Sequence, residues 1–298
     1  MNIFIIKDNS YFYRIFKYID HLHDQHYIII VRRNNMFDLS NMTPQEVRGL
    51  IRKGELIQPT SGMCRGHIQA NLAIVPKDLA FDFLLFAQRN PKPCPILDVT
   101  DVGDPEPKIM GKGADLRYDI PKYRIYKYGE LVDEVTNLDD YWRDDLVSFL
   151  IGCSFSFESA MINASIPIRH IDDNHNVPMY LTNIDTLAAG SFHGKMVVSM
   201  RPIPYHLITR AVQSTSRFPQ VHGAPVHIGD PSIIGIKNID KPDFGDASEI
   251  REGEVPVFWA CGVTPQSIAM SSKPSLMITH SPGYMFICDP KDEDLAVL

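Results

Sequence analysis

The sequence predicts a mixed α/β protein, because short apolar segments typical of strands alternate with segments that carry helix signals. The composition supports a globular chain: 44% of the 298 residues are hydrophobic and 22% are charged. Twenty-two prolines end many of the apolar segments and so mark boundaries between predicted elements.

The first 41 residues contain no Gly or Pro and show no clean amphipathic period. We interpret residues 1–41 as a poorly specified N-terminal extension and expect the folded domain to span residues 42–298. The first helix of that domain begins at Thr43 and Glu46, which form a capping box with Pro44 at the first helical position. Gly54 is expected to end it.

The remaining elements follow from apolar runs and the residues that stop them. The predicted strands are 68–75, a hairpin of 123–128 and 131–135, 146–151, 197–200, 255–260, 276–279 and 285–288. The predicted helices are 79–88, 155–163, 205–213 and one that starts at Pro265.

Charge and cysteine content exclude several functional classes. The net charge is −7 and no Lys/Arg block occurs, so nucleic acid is not an expected partner. No apolar run approaches the roughly 18 residues of a membrane span, and Asp8 interrupts the apolar start, so we expect neither a membrane segment nor a signal peptide. Five cysteines without a CxxC pair argue against a disulfide framework or structural zinc. We expect a reduced, cytoplasmic protein that binds a small carboxylic or amino acid, and a homo-oligomer remains open.

Two strand-to-helix junctions contain candidate site residues. Cys261 and Thr264 follow an apolar strand, where Thr264 is expected to cap a helix whose free amides bind an anion. Glu158 follows another strand, between Phe155 and Met161, and a carboxyl in apolar surroundings has the raised pKa of a general acid or base. The alternatives are an ordinary tight turn, a buried structural cysteine, and a solvated Glu158.

Two histidines lie in a segment rich in turn-forming Gly and Pro. His222 and His227, with Asp230 nearby, could transfer protons or bind a divalent metal, although their spacing matches no established metal motif. We favour proton transfer, and a hydrogen-bonded structural histidine is the alternative. No motif for an organic cofactor is present in the sequence.

A further set of polar residues is predicted to bind substrate. Ser61 precedes a buried strand on which Gln69 and Asn71 point to one face. Arg201 ends another buried strand and could hold a substrate carboxylate through two hydrogen bonds. The alternatives are amides bonded to neighbouring loops and an internal ion pair of Arg201.

Several longer strings occur in a fixed order along the chain. They are Pro59-Thr60-Ser61-Gly62, Gln69-Ala70-Asn71-Leu72, Gln88-Arg89-Asn90-Pro91-Lys92-Pro93-Cys94-Pro95, Gly152-Cys153-Ser154-Phe155-Ser156-Phe157-Glu158, Val177-Pro178-Met179-Tyr180, Val198-Ser199-Met200-Arg201-Pro202, His222-Gly223-Ala224-Pro225-Val226-His227, Phe258-Trp259-Ala260-Cys261-Gly262-Val263-Thr264-Pro265-Gln266 and Thr279-His280-Ser281-Pro282-Gly283-Tyr284-Met285-Phe286. Together they resemble the D-glutamate cyclase family over roughly Met42 to Asp289. One departure is His67, where the family more often has Tyr.

The resemblance implies a three-layer α/β/α sandwich with a smaller two-layer α+β portion, which we place near residues 116–214. It also implies the interconversion of D-glutamate and 5-oxo-D-proline with loss of water. We assign Glu158, His222 and His227 to catalysis, and Ser61, Gln69, Asn71, Arg201, Cys261 and Thr264 to substrate binding. The alternatives are a β-elimination dehydratase of a small hydroxy acid and a non-catalytic carboxylate-binding protein.

Overall fold

The computed structural model describes residues 38–297, and before them the backbone of two short strands, β1 (Ile3–Ile6) and β2 (Ile28–Val31). The chain divides into two compact units, Met1–Asp38 and Leu39–Leu298. In the first unit β1 and β2 pair in parallel. The interpretation of residues 1–41 as an extension lies largely outside the described residues and stays a prediction.

The second unit combines helices with strands. The helices are α1 (Pro44–Arg52), α2 (Lys77–Arg89), α3 (Glu158–Asn163), α4 (Arg169–Asp172), α5 (Ile208–Ser216) and α6 (Thr264–Ser272). The strands are β3 (His67–Pro76), β4 (Ile96–Val99), β5 (Tyr123–Lys127), β6 (Glu130–Val135), β7 (Leu146–Gly152), β8 (Met179–Asp185), β9 (Lys195–Pro204), β10 (His227–Ile228), β11 (Glu254–Ala260), β12 (Met277–His280) and β13 (Phe286–Lys291).

The start of the second unit confirms the predicted first helix. The Thr43 side chain accepts from the Glu46 amide and the Glu46 carboxylate accepts from the Thr43 amide, which is the capping box. The chain is already tied to the fold before this helix, because the Leu39 and Ser40 carbonyls accept from the amides of residues 64 and 65 at 2.8 and 2.9 Å. The unit therefore begins three residues before the predicted boundary at Met42.

The strands of the second unit form two antiparallel sheets. The larger has the order β4-β7-β3-β12-β5-β6, and β13 shares with β12 the edge of β3 that lies opposite β7. The smaller has the order β10-β11-β9-β8. Because the neighbouring strands are antiparallel, the rule that ligands bind at the carboxyl ends of parallel strands does not apply to either sheet.

The mixed α/β class is confirmed, while the layering of the predicted sandwich stays a prediction. The range 116–214 does not follow either sheet: it supplies β5, β6 and β7 to the larger one and β8 and β9 to the smaller one. Among the described residues, no helix combines the length and hydropathy needed to cross a bilayer.

The central strand β3 is buried on both faces, and this burial positions the polar residues. One face contributes Ile68, Leu72 and Ile74 to an apolar cluster, and the other contributes Ala73 and Val75 to a second cluster. Alternation along a strand places residues 69 and 71 on the second face, at its polar end. The turn that follows β7 packs against that end.

The segment after β7 is less regular than predicted. Residues 155–163 were expected to form one helix, but Ser154–Phe157 is a 3-10 turn and α3 begins only at Glu158. Similarly, Tyr205–Leu207 is a 3-10 turn that precedes α5. Both changes leave the element order unchanged.

Candidate active site

Glu158 and Arg201 form a buried ion pair between α3 and β9. Arg201 is 0% exposed and Glu158 is 3% exposed. The Arg201 Nε donates to Glu158 Oε1 at 3.0 Å, and Nη2 donates to the same oxygen. A charge removed from water to this extent requires a partner, and each of these side chains supplies it to the other.

The rest of the Arg201 guanidinium is also engaged within the protein. Nη1 donates to Ser199 Oγ at 3.2 Å and Nη2 donates to Ser154 Oγ at 3.1 Å. The rings of Phe157 and Trp259 lie 5.4 and 5.5 Å from its central carbon. Arg201 therefore makes the internal ion pair that the sequence left as the alternative to a substrate carboxylate.

The expected raised pKa of Glu158 is wrong. Burial alone would raise it, but the charge and the two hydrogen bonds of Arg201, together with the neighbouring His170, oppose burial and lower the pKa below its usual value. The sequence shows the apolar neighbours of Glu158 and not the two basic groups that the fold brings to it. Glu158 is therefore a carboxylate at neutral pH.

His170, on the short helix α4, is the site residue that the sequence analysis missed. Its Nε2 lies 3.1 Å from Glu158 Oε1, at ion-pair distance but without the alignment of a hydrogen bond. Its ring stacks on Phe155 with centroids 5.9 Å apart. Burial is the main cause that lowers the pKa of His170, so the imidazole is neutral at pH 7 and can accept a proton.

A cavity of about 380 Å³ opens beside this histidine. Its lining includes Gln58, Ser61, Gly62, His170, His175 and Asn176. Three of these residues have a buried polar atom without a hydrogen-bond partner among the described residues, namely Ser61 Oγ, His170 Nε2 and Asn176 Oδ1. Unpartnered buried polar atoms each cost about 1–3 kcal/mol, so their concentration around one cavity makes it the candidate ligand site.

Ser61 is presented to this cavity by a firmly anchored turn. The amide of Thr60 donates to the Gly283 carbonyl at 2.9 Å, and its hydroxyl donates to Gln69 Oε1 at 2.8 Å. The Met285 amide donates to that same hydroxyl at 3.0 Å. Of the predicted substrate-binding residues, Ser61 is therefore the one that lines the cavity beside His170.

The side chains of Gln69 and Asn71 form hydrogen bonds to neighbouring loops, as the alternative interpretation predicted. Gln69 Nε2 donates to the Thr60 carbonyl at 2.9 Å, which completes the anchoring of the turn. Asn71 Nδ2 donates to the Gly152 carbonyl at 2.6 Å. The Asn71 amide also packs so closely on Gly262 that a Cβ at that position would overlap it.

The two predicted catalytic histidines lie apart from this cavity. His222 Nδ1 is 2.8 Å from the Lys92 carbonyl, the Lys92 ammonium donates to the His222 carbonyl at 3.0 Å, and burial lowers the pKa of His222 to about 4. His227 Nε2 is 2.7 Å from the Asp230 carbonyl. Neither histidine belongs to the lining of this cavity.

Cys261 and Thr264 are buried in the junction between β11 and α6. Burial raises the pKa of the Cys261 thiol to about 11, so it is protonated at neutral pH. Thr264 does not cap the helix as predicted: Val263 is the N-cap, and the Thr264 hydroxyl donates to the Cys261 carbonyl at 2.7 Å. Residues 38–297 also contain no cluster of three or more His, Cys, Asp or Glu arranged to hold a metal ion.

Comparison with known proteins places the chain among its relatives. A family model described as D-glutamate cyclase matches residues 147–289. A protein of Psychrobacter arcticus, named "Putative hydro-lyase", is 80% identical over 263 residues, which cover 88% of this chain and 100% of that protein. The chain belongs to the D-glutamate cyclase family.

Two further relatives and one solved structure also match. A Thermoanaerobacter protein is 69% identical over 86% of this chain and 97% of its own length. A Bacillus subtilis protein is 62% identical over 86% of this chain and 100% of its own length, and both names contain "hydro-lyase". A nitrogen repressor-like protein from Methanococcus jannaschii matches 82% of this chain and 97% of its own with 8% identity and a TM-score of 0.35, which is too low to define the fold.

The D-glutamate cyclase match spans the charged centre of the site. Glu158, His170 and Arg201 lie inside residues 147–289, whereas Ser61 and its turn lie before this range. The family and the names of these relatives support a hydro-lyase.

Proposed function

We propose that this protein is a hydro-lyase that interconverts D-glutamate and 5-oxo-D-proline with loss of water. Family membership supports the reaction class. The observation that carries the proposal is His170, a neutral imidazole that lines a cavity and lies 3.1 Å from a carboxylate fixed by Arg201. In this arrangement the imidazole can act as a base, and the neighbouring carboxylate stabilises its protonated form.

The chemistry of cyclisation requires two proton transfers. The substrate amine must lose a proton before it can attack its own side-chain carboxyl, and the oxygen that leaves as water must gain one. A neutral His170 accepts the first proton and donates it to the departing oxygen. Glu158 stays ionised and stabilises the imidazolium that exists between these two steps.

In this mechanism Arg201 and Glu158 act on the substrate through His170. Arg201 keeps the Glu158 carboxylate charged and in position, and Ser154 and Ser199 hold the guanidinium in turn. This role replaces the predicted contact between Arg201 and a substrate carboxylate. The role predicted for Glu158 as a general acid or base with a raised pKa is replaced by stabilisation of a charged histidine.

The cavity is suited to a small acid. A volume of about 380 Å³ lies at the lower end of the range for ligand pockets. A cavity of this size favours the folded conformer of glutamate in which the amine meets the side-chain carboxyl, and such proximity supplies a large part of the rate acceleration.

Replacement of His170 tests the proposal. The substrates are D-glutamate and 5-oxo-D-proline, and the readout is the mass change of 18 Da by mass spectrometry. His170→Gln should lower kcat by about 10²–10⁴-fold, because glutamine cannot transfer a proton. His193→Gln, an exposed histidine outside the cavity lining, is the matched control and should leave kcat unchanged. Full activity of folded His170→Gln would contradict the assignment of His170.

The same assay separates the alternatives. A β-elimination dehydratase removes a proton from carbon, so in D₂O its recovered substrate or product would acquire deuterium, whereas cyclisation exchanges only N–H and O–H protons. A non-catalytic protein would bind small acids and change the mass of none of them.

A further inference from the structure

We propose that Ser61 is a nucleophile that carries the substrate's γ-acyl group as an ester during the reaction. This inference rests on the proposed function, because it specifies how the bond between the substrate carbonyl carbon and nitrogen is made and broken. It goes beyond the substrate-binding role that the sequence suggested for Ser61.

The first observation is the rigidity of the turn that holds Ser61. Thr60 is 0% exposed, and its amide, hydroxyl and carbonyl all form hydrogen bonds to other segments. Gly62 continues the turn with a φ of +78°, in the left-handed region that favours glycine. A side chain held between two such residues has little freedom to move away from the cavity.

The second observation is the Ser61 hydroxyl itself. Its oxygen is buried without a hydrogen-bond partner among the described residues, and the residue lines the cavity together with His170. The turn also approaches the helix of that histidine, since the ideal Cβ position of Gly62 lies 4.0 Å from Ile171 Cγ2. A hydroxyl left unpaired at this location remains free for a reacting group.

The third observation is the order of chemical types. Ser61 and His170 line the cavity, and Glu158 lies directly behind His170, within 3.1 Å of Nε2. A hydroxyl, an imidazole and a carboxylate in this order are the groups that serve as nucleophile, base and stabiliser of the charged base once the hydroxyl donates to the imidazole.

In the ring-opening direction, the covalent step is attack of the Ser61 hydroxyl on the lactam. Ser61 Oγ forms a bond to the lactam carbonyl carbon of 5-oxo-D-proline as the bond between that carbon and nitrogen breaks. The hydroxyl proton passes through His170 to the leaving nitrogen, and the product is a γ-glutamyl ester with a free amine. Water then cleaves the ester, and its proton returns through His170 to Oγ. Cyclisation runs through the same steps in reverse.

A fluorophosphonate probe tests the nucleophile without any need for substrate. The probe forms an oxygen–phosphorus bond with an activated serine and releases fluoride. Peptide mass spectrometry should locate the adduct on Ser61 in the full-length protein, and labelling should disappear in Ser61→Ala. Ser248→Ala is the matched control, since its hydroxyl is also buried and unpaired but its side chain does not line this cavity. Unlabelled Ser61 in the wild-type protein would overturn the proposal.

Hydroxylamine trapping tests the ester in the unaltered enzyme. With 5-oxo-D-proline and hydroxylamine present, the ester should be intercepted as γ-glutamyl hydroxamate, and Ser61→Ala should lower both hydroxamate formation and kcat by about 10³-fold or more. Unchanged turnover by Ser61→Ala would refute the nucleophile and leave the proposed function standing. A labelled Ser61 without turnover of glutamate or 5-oxoproline would instead refute the proposed reaction and leave the nucleophile standing.

Discussion

Replacing Glu158 by Gln removes a charge from the buried site with almost no change in shape. The Arg201 guanidinium, 0% exposed, would then lack its only carboxylate within ion-pair distance among the described residues. Breaking a buried ion pair by removing one partner costs about 3–5 kcal/mol, because the remaining charge stays buried and uncompensated. Since the whole free energy of unfolding of a domain is typically about 5–15 kcal/mol, this loss would be a large fraction of it.

Urea unfolding at pH 7, followed by circular dichroism, measures this effect as a fall in the midpoint at constant slope. Glu134→Gln is the matched control: Glu134 pairs with Lys122 and Arg124, but it is 30% exposed, so its loss should cost less than about 1 kcal/mol. The double variant Glu158→Gln/Arg201→Met should recover part of the stability that Glu158→Gln loses. An unfolding free energy of Glu158→Gln equal to that of the wild type would refute the reasoning.

Three further predictions concern two buried histidines, the packing of Gly262 and the N-terminal residues. Burial lowers the pKa of His222 and of His280 to about 4, below that of a histidine in the unfolded chain. The unfolded chain therefore binds more protons, so the free energy of unfolding should fall as the pH drops from about 6.5 to 4, by on the order of 3 kcal/mol for each histidine. Urea titrations at several pH values should show a weaker dependence of this free energy on pH for His280→Gln. Gly262→Ala should lower the melting temperature by several degrees, because its methyl group would overlap the Asn71 amide, and a melting curve equal to that of the wild type would show that this packing is loose. A chain that starts at Leu39 should melt within a few degrees of the full chain, because residues 39–298 form a compact unit of their own. Loss of soluble protein would contradict this prediction.

Features encoded by neighbouring residues could be predicted from the sequence. The first helix is confirmed because Thr43 and Glu46 satisfy each other's amides within one turn, independently of the rest of the fold. The hairpin of β5 and β6 is confirmed for the same reason, since its pairing depends on a short turn. The antiparallel order of the larger sheet could not be predicted in this way, because it depends on contacts between distant segments such as β3 and β12.

The charged centre of the site could not be predicted from the sequence for a similar reason. Glu158 and Arg201 were both selected from the sequence, but their separation of 43 positions conceals that they bind each other. His170 lies in a four-residue helix that is too short to show a period, and its neighbours Ile168 and Ile171 were the only signal of burial. The direction of the Glu158 pKa depends on these partners, so local composition alone predicted it incorrectly.

The most direct test of the account is turnover of 5-oxo-D-proline by the purified full-length protein, measured as a gain of 18 Da in parallel with His170→Gln and His193→Gln. The account predicts D-glutamate as the product of the wild type and of His193→Gln, no deuterium at the α-carbon when the reaction runs in D₂O, and a rate about 10²–10⁴-fold lower for His170→Gln. Equal rates for a folded His170→Gln and the wild type, or deuterium at the α-carbon of the product, would contradict it.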